Sequence, residues 1–186
     1  VIYMEIGAIK AVQDRLKTTK IEESKGASLV FCWDTHLTKI KGRNVLFIVN
    51  ASNRYTIAMT DIEPRNWNYY AMYIIRVIHG MMQEMGYSEE QIEQYFKMSG
   101  DTTITKTHGR KSVGGINRMV MDAQYFGKKL EKEAKYQWEL SEYLNRDICQ
   151  PEGFDAYGYP NELFKLDMER LGIATKRKPA KVIDFA

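Results

Sequence analysis

Apolar residues come in short runs through the first sixty residues of the chain, and polar turns separate these runs. The runs at residues 2–6, 29–33, 45–49 and 55–59 predict strands, with turns at 41–43 and 50–53. The last three strands, joined by two successive hairpins, predict a small antiparallel meander sheet. Between the first two strands, Ile9, Val12 and Leu16 are spaced three and four residues apart, which predicts a short amphipathic helix within residues 7–17.

A helical period replaces the strand pattern after Pro64. Residues 67–85 carry apolar side chains at helical spacing, and Gly86 follows as the expected end of this helix. Ser88 and Gln91 have the spacing of a capping box, so a second helix is expected to run to about residue 98. The threonine-rich segment 102–107 then predicts one more strand.

The C-terminal part of the chain predicts helices. No proline interrupts residues 115–146, where small and apolar residues recur every 3.5 positions, so we expect one long helix with a kink near Gly127. A final helix is expected over residues 161–171. The predicted fold is therefore α+β, a small antiparallel meander sheet packed against helices with a long C-terminal helical extension. Its predicted parts are an α+β domain at 1–125, the helical extension at 126–173 and a flexible basic tail at 174–186.

Charge and composition narrow the picture. The hydrophobic share of 44% is enough for a folded core, and no apolar run approaches the roughly 20 residues of a membrane-spanning helix. The whole net charge of +3 lies in the tail, where four basic residues outnumber one acid by three, so the body is neutral. A neutral body argues against nucleic-acid binding over the whole surface. No signal peptide is visible, and Cys32 and Cys149 lie far apart, which favours a reduced cytoplasmic location.

Known catalytic and metal-binding patterns are not visible in the chain. His36, His79 and His108 have no metal-site spacing, no cysteine pair supports zinc, and we predict no metal, no cofactor and no enzymatic activity. One alternative stays open. Asp34 and His36 lie two residues apart on a predicted strand and so share a face, where the carboxylate would orient the imidazole as a general base. With Arg110 as the phosphate-binding cation, this pair would suit a small metal-independent nuclease or toxin.

The loop after the threonine-rich strand is the strongest candidate for binding. No acidic residue occurs from Thr102 to Met121. The same stretch is basic and leads into the predicted long helix, whose N-terminus favours anions. The predicted binding residues for an anion, a nucleic acid or a protein partner are Lys106, Arg110, Lys111 and Arg118. The alternative is a simple strand-to-helix connection with solvated charges.

Several of these positions also resemble an uncharacterised family of small bacterial and phage proteins. The resemblance rests on Trp33 with Leu37, on the segment 43–47, on Ser52, and on the segment from Arg110 through Gly114 to Asn117. It covers residues 1–125 and implies that Trp33, Ser52, Arg110, Gly114 and Asn117 matter to the fold or to function. The chain departs from the family pattern at Lys111, where a serine is usual, and at His36, where asparagine is frequent.

These observations together predict a non-enzymatic interaction or inhibitor protein, encoded by a phage or mobile element. The expected partner is a bacterial protein or ribonucleoprotein complex that handles nucleic acid, such as a CRISPR nuclease. Direct nucleic-acid binding through the 106–118 loop and the nuclease or toxin are the alternatives. We expect no membrane partner, and the oligomeric state stays open, with a dimer through the 115–146 helix as one alternative.

Overall fold

The computed structural model of the chain describes residues 3–17 and 19–175. Its strands form one five-stranded sheet in the order β4-β3-β2-β1-β5. The strands are β1 (Tyr3–Ala8), β2 (Cys32–Ile40), β3 (Arg43–Asn50), β4 (Thr56–Thr60) and β5 (Asp101–Thr105). From position 176 onward, the predicted tail lies outside the residues that the structure describes.

The helices α1 to α7 follow in chain order as Lys10–Gln13, Pro64–Asn68, Tyr70–Glu84, Glu89–Ser99, Gly109–Gln124, Trp138–Asn145 and Pro160–Arg170. The helix predicted at residues 67–85 is the pair α2 and α3. The capping box of α4 is confirmed, because the Ser88 hydroxyl accepts from the Gln91 N–H and the Gln91 side chain accepts from the Ser88 N–H. No helix in the described part of the chain is long and apolar enough to cross a membrane.

The α+β class is confirmed, but the sheet is mixed rather than purely antiparallel. The meander is present as β2, β3 and β4, which pair antiparallel. In contrast, β1 lies between β2 and β5 and is parallel to both. Parallel neighbours need a long connection, and residues 9–31 and 61–100 supply it between these strands. Which strands become neighbours here depends on residues far apart in the chain, so the local pattern of residues does not predict it.

Both faces of the sheet are covered by helices. On the first face, Trp33, Leu46 and Ile57 pack against α3, α4 and α7 in the larger core cluster. On the second face, Phe47 and Ala58 pack against α5 and α6 in a separate cluster. This second cluster covers the β3–β4 half of that face, and the β1–β2–β5 half of it is polar.

The single long helix predicted over residues 115–146 is wrong. Helix α5 ends at Gln124, residues 125–137 are not helical, and α6 starts at Trp138. The reason is hydrogen bonding to the free edge of β4, where the Thr60 N–H donates to the Lys135 carbonyl (2.7 Å) and the Gln137 N–H donates to the Ala58 carbonyl (2.9 Å). These bonds satisfy an open sheet edge, which a continuous helix would leave unpaired.

The side chain of Gln137 completes this arrangement. The buried Gln137 amide donates to the Glu131 and Ala134 carbonyls, so it satisfies backbone groups that a helix would have paired. The dimer considered in the sequence analysis requires a continuous helix over residues 115–146, and this helix is not present.

Candidate functional site: a histidine between two buried carboxylates

The polar half of the second sheet face contains two acidic side chains that are fully buried. Side chains alternate along a strand, so Met4 and Ile6 face the larger core and Glu5 projects from the opposite side of β1. On β2, Trp33 faces the core and Asp34 projects to the same side as Glu5. Both carboxylates have 0% exposed surface, which is costly for a charge unless partners compensate.

His108 is the partner that these two acids share. Its Nδ1 lies 2.6 Å from Asp34 Oδ1, and its Nε2 lies 2.7 Å from Glu5 Oε2. The imidazole itself is only 7% exposed. His108 directly precedes α5, so the cluster joins β1 and β2 to the start of that helix.

Additional donors hold each carboxylate in place. Glu5 accepts from the Ser24 hydroxyl (2.7 Å) and from the Lys25 backbone N–H (2.6 Å). Asp34 accepts from the Ser112 hydroxyl on α5 (2.7 Å) and from the backbone N–H of His108 (3.2 Å). Each acid therefore accepts several charge-assisted hydrogen bonds, the condition under which buried ions are stable.

Gly7 makes room for this arrangement. It pairs with Asp34 in the β1–β2 register, and a Cβ at this position would lie 1.9 Å from Asp34 Oδ1. Only a residue without a side chain allows the carboxylate to lie over the neighbouring strand.

The protonation states follow from these contacts. Burial lowers the pKa of His108, but its hydrogen bonds to Asp34 and Cys32 and the negative charge of Asp34 outweigh burial and raise the pKa to about 11. Burial raises the pKa of Glu5, but the hydrogen bonds from Ser24, Lys25 and His108 have the larger effect, so its pKa is lower than that of an ordinary glutamate. At neutral pH the cluster is thus an imidazolium between two carboxylates. Both ring nitrogens donate, so neither accepts a proton as a general base in this arrangement.

Cys32 adds a sulfur atom to the cluster. It pairs with Glu5 in the sheet register, and its thiol lies 3.4 Å from the Ser28 carbonyl. Burial raises the pKa of this thiol, so it is protonated at neutral pH. Glu5, Cys32 and His108 each offer one metal-ligand atom, and these three atoms lie within 4.8 Å of one another. Within the described residues they form a group able to hold a metal ion.

A family model described as a domain of unknown function, DUF6933, matches residues 5–163 of the chain. The chain belongs to the DUF6933 family. The matched region contains every residue of the cluster around His108, and it extends well past residue 125, where the resemblance was expected to end. Comparison of the chain with curated proteins and with solved structures gives no significant match.

The basic residues predicted from the sequence lie on α5 and just before it. Lys106 is exposed and forms an ion pair with Glu23 at 3.3 Å. Arg110, Lys111 and Arg118 are exposed on α5, and their spacing places them on one side of the helix. The opposite side of α5 contributes Ile116 and other buried residues to the smaller core cluster.

The family-matched residues divide into buried and exposed pairs. Trp33 is fully buried, and its indole N–H donates to the Tyr95 hydroxyl at 2.9 Å. Ser52 is buried in the β3–β4 turn, where its carbonyl accepts from the Gly153 N–H. These two residues support the DUF6933 fold. Gly114 and Asn117 are exposed on the basic side of α5.

The pair proposed for a nuclease is not assembled as expected. The carboxylate of Asp34 holds His108 and Ser112, so the histidine it orients is His108 and not His36. His36 is half-buried on β2, and burial lowers its pKa. Arg110 is exposed on α5, one turn or less from His108 in the chain.

Sequence reasoning missed the cluster because its members are far apart along the chain. His108 lies 74 residues from Asp34 and 103 from Glu5, so no spacing motif connects them. One local signal was available. Glu5 interrupts an apolar strand between Met4 and Ile6, and an acid at such a position predicts a buried partner elsewhere.

Proposed function

We propose that this DUF6933 chain is a non-enzymatic binding protein that docks on the phosphate backbone of a nucleic acid through the exposed side of α5. The observation that carries the proposal is the charge of this side. Arg110, Lys111 and Arg118 all face solvent there, and Asp122 is the only acid in the helix. Clustered cations on one rigid face supply the electrostatic part of phosphate binding.

Neighbouring side chains suit the same role. Met121 is 63% exposed and Tyr125, just beyond the helix, is 78% exposed. An exposed tyrosine provides a stacking surface for unpaired bases, and methionine adapts its shape to different partners. Because α5 is anchored through His108 and Ser112 to Asp34, the basic side is held in a fixed orientation.

The setting we propose is a bacterial complex that handles nucleic acid, with a CRISPR nuclease as the specific case and inhibition as the result. In a reduced cytoplasmic compartment, Cys32 and Cys149 would both remain free thiols, as they are in this fold. In the metal-free chain each ring nitrogen of His108 has a carboxylate partner, which supports the non-enzymatic part of the proposal.

Fluorescence anisotropy with labelled duplex DNA and single-stranded RNA tests the docking surface. If each of the three cations neutralises one phosphate, the logarithm of the affinity falls by about 2.7 per tenfold rise in salt on duplex DNA. The variant Arg110→Ala/Lys111→Ala/Arg118→Ala is expected to lose most of the affinity and of the salt dependence.

A matched control removes the same charge from the other side of the sheet. Lys10, Arg65 and Lys97 are exposed on α1, α2 and α4, helices that pack on the first sheet face. The variant Lys10→Ala/Arg65→Ala/Lys97→Ala should bind as the unmodified chain does. An equal loss of affinity in both triple variants would contradict a docking role for α5. An affinity that does not change with salt concentration would contradict it as well.

Cleavage assays with purified CRISPR nucleases test the inhibitor part separately. The unmodified chain should slow cleavage, and the α5 triple variant should not. A chain that binds nucleic acid but slows no nuclease would contradict inhibition and leave the docking surface supported.

A further inference from the structure

The cluster around His108 contains a sulfur, a nitrogen and an oxygen atom that could each bind a metal, and the proposed nucleic-acid docking uses none of them. We propose that Glu5, Cys32 and His108 bind one divalent ion of the zinc class. Thiolate and imidazole ligands favour Zn²⁺ and its neighbours, whereas Mg²⁺ and Ca²⁺ prefer sets made of oxygen alone. Three protein ligands leave the fourth tetrahedral position to an outside ligand such as water.

The ligands are held in orientations that suit a metal. Asp34 Oδ1 binds His108 Nδ1 at 2.6 Å, which leaves Nε2 as the ligand atom. A carboxylate that accepts from the other ring nitrogen is the usual support of a metal-bound histidine. The Glu5 carboxylate is oriented in the same way by Ser24 and by the Lys25 N–H.

The three ligand atoms are close enough together for one ion. The ligand atoms lie within 4.8 Å of one another, and the shortest separation is 2.7 Å between His108 Nε2 and Glu5 Oε2. Around a tetrahedral zinc, ligand atoms are separated by about 3.3–3.6 Å, given bonds of about 2.0–2.3 Å. An increase of about 0.6 Å between His108 Nε2 and Glu5 Oε2 brings this pair to the tetrahedral spacing. Cys32 Sγ, which lies within 4.8 Å of both atoms, would approach them to complete the set.

Binding also preserves the charge of the buried cluster. Without metal, the cluster consists of a neutral thiol, an imidazolium and two carboxylates. When the ion binds, the Cys32 thiol and His108 Nε2 each release a proton to solvent, and bonds form from the metal to sulfur, nitrogen and a Glu5 oxygen. One divalent cation replaces two protons, so the net charge of the buried group is unchanged.

A further polar atom lies next to the proposed site. Thr103 pairs with Glu5 in the β1–β5 register, and register partners project to the same face of a sheet. Its hydroxyl is buried without a hydrogen-bond partner. A fourth ligand on the metal, such as water, would give a buried hydroxyl of this kind a partner.

Titration of the full chain with Co²⁺ tests the site, because cobalt bound by thiolate shows a charge-transfer band in the near ultraviolet. We expect one Co²⁺ per chain, displacement by Zn²⁺, and release of about two protons per ion in weakly buffered solution. Cys32→Ser should lose the charge-transfer band. This variant removes one ligand and leaves the ion pairs of His108 with Glu5 and Asp34 in place, so circular dichroism should still report a folded chain.

Cys149→Ser is the matched control, because Cys149 is also a buried free thiol but lies in a separate cluster with Phe154 and Leu163. It should keep the band at full intensity. The proposal is overturned if the unmodified chain shows no band, if the band survives Cys32→Ser, or if Cys149→Ser abolishes it. Proton release measured on the unmodified chain gives an answer even if Cys32→Ser does not fold.

Discussion

Replacing His108 with asparagine removes the cation that lies between two carboxylates with no exposed surface. The imidazolium makes side-chain hydrogen bonds of 2.6 and 2.7 Å to these acids. Removing one member of a buried ion pair typically costs about 3–5 kcal/mol, because the remaining charge has no compensation. We expect His108→Asn to lower the free energy of unfolding by about this amount, a large part of a domain's total of roughly 5–15 kcal/mol.

Urea unfolding of the metal-free chain at neutral pH measures this loss, and the chain contains its own control. His79 contacts Glu89 at 2.9 Å, but that pair is largely exposed, so His79→Asn should change the unfolding free energy very little. In the double variant Asp34→Asn/His108→Asn, part of the lost free energy of unfolding should be recovered, because one of the two unpaired carboxylates is replaced by a neutral amide. A cost below about 1 kcal/mol for His108→Asn, or no recovery in the double variant, would refute buried charge pairing as the basis of the cluster.

Three further predictions concern pH and packing. Folding raises the pKa of His108 from 6.5 to about 11. Its contribution to the free energy of unfolding is therefore complete below pH 6.5 and is lost as the pH rises through 11. Urea unfolding at several pH values across that range should show this loss in the unmodified chain and not in His108→Asn. Gly7→Ala should lower the melting temperature because its Cβ would lie 1.9 Å from a carboxylate oxygen, whereas Gly80→Ala, in open space within α3, should raise stability by about 0.5–1 kcal/mol. Asn145→Ala should cost about 2–4 kcal/mol in urea unfolding, because the buried amide pairs with both the N–H and the carbonyl of Thr56 at 2.8 Å; an effect under 1 kcal/mol would contradict that role.

Local patterns predicted most of the individual elements. The strands near 2–6, 45–49 and 55–59 appear as β1, β3 and β4, and the capping box at Ser88 marks the start of α4. These features depend on residues within one or two turns of one another. The glycine predicted to end α3 does so as well, since Gly86 has a φ of 89° and its N–H bonds back to Gln83.

The candidate sites were predicted only in part. The basic residues Arg110, Lys111 and Arg118 could be found in the sequence because they are close together and no acid separates them. Their role in docking stays a prediction, and so does the division of the chain at residue 125. The cluster of Glu5, Cys32, Asp34 and His108 could not be found, because each member looks ordinary in its own segment.

Alternation, helical period and capping act over a few residues, and these local patterns were enough to place β1, β3, β4 and the start of α4. The position of β1 between two parallel neighbours and the break between α5 and α6 depend instead on contacts between distant parts of the chain. At Lys135 and Gln137, hydrogen bonds to the open edge of β4 outweigh a helical pattern whose gain per residue is small. The same holds for His108, whose ionised state and fixed orientation exist only because two distant strands place their acids on either side of it.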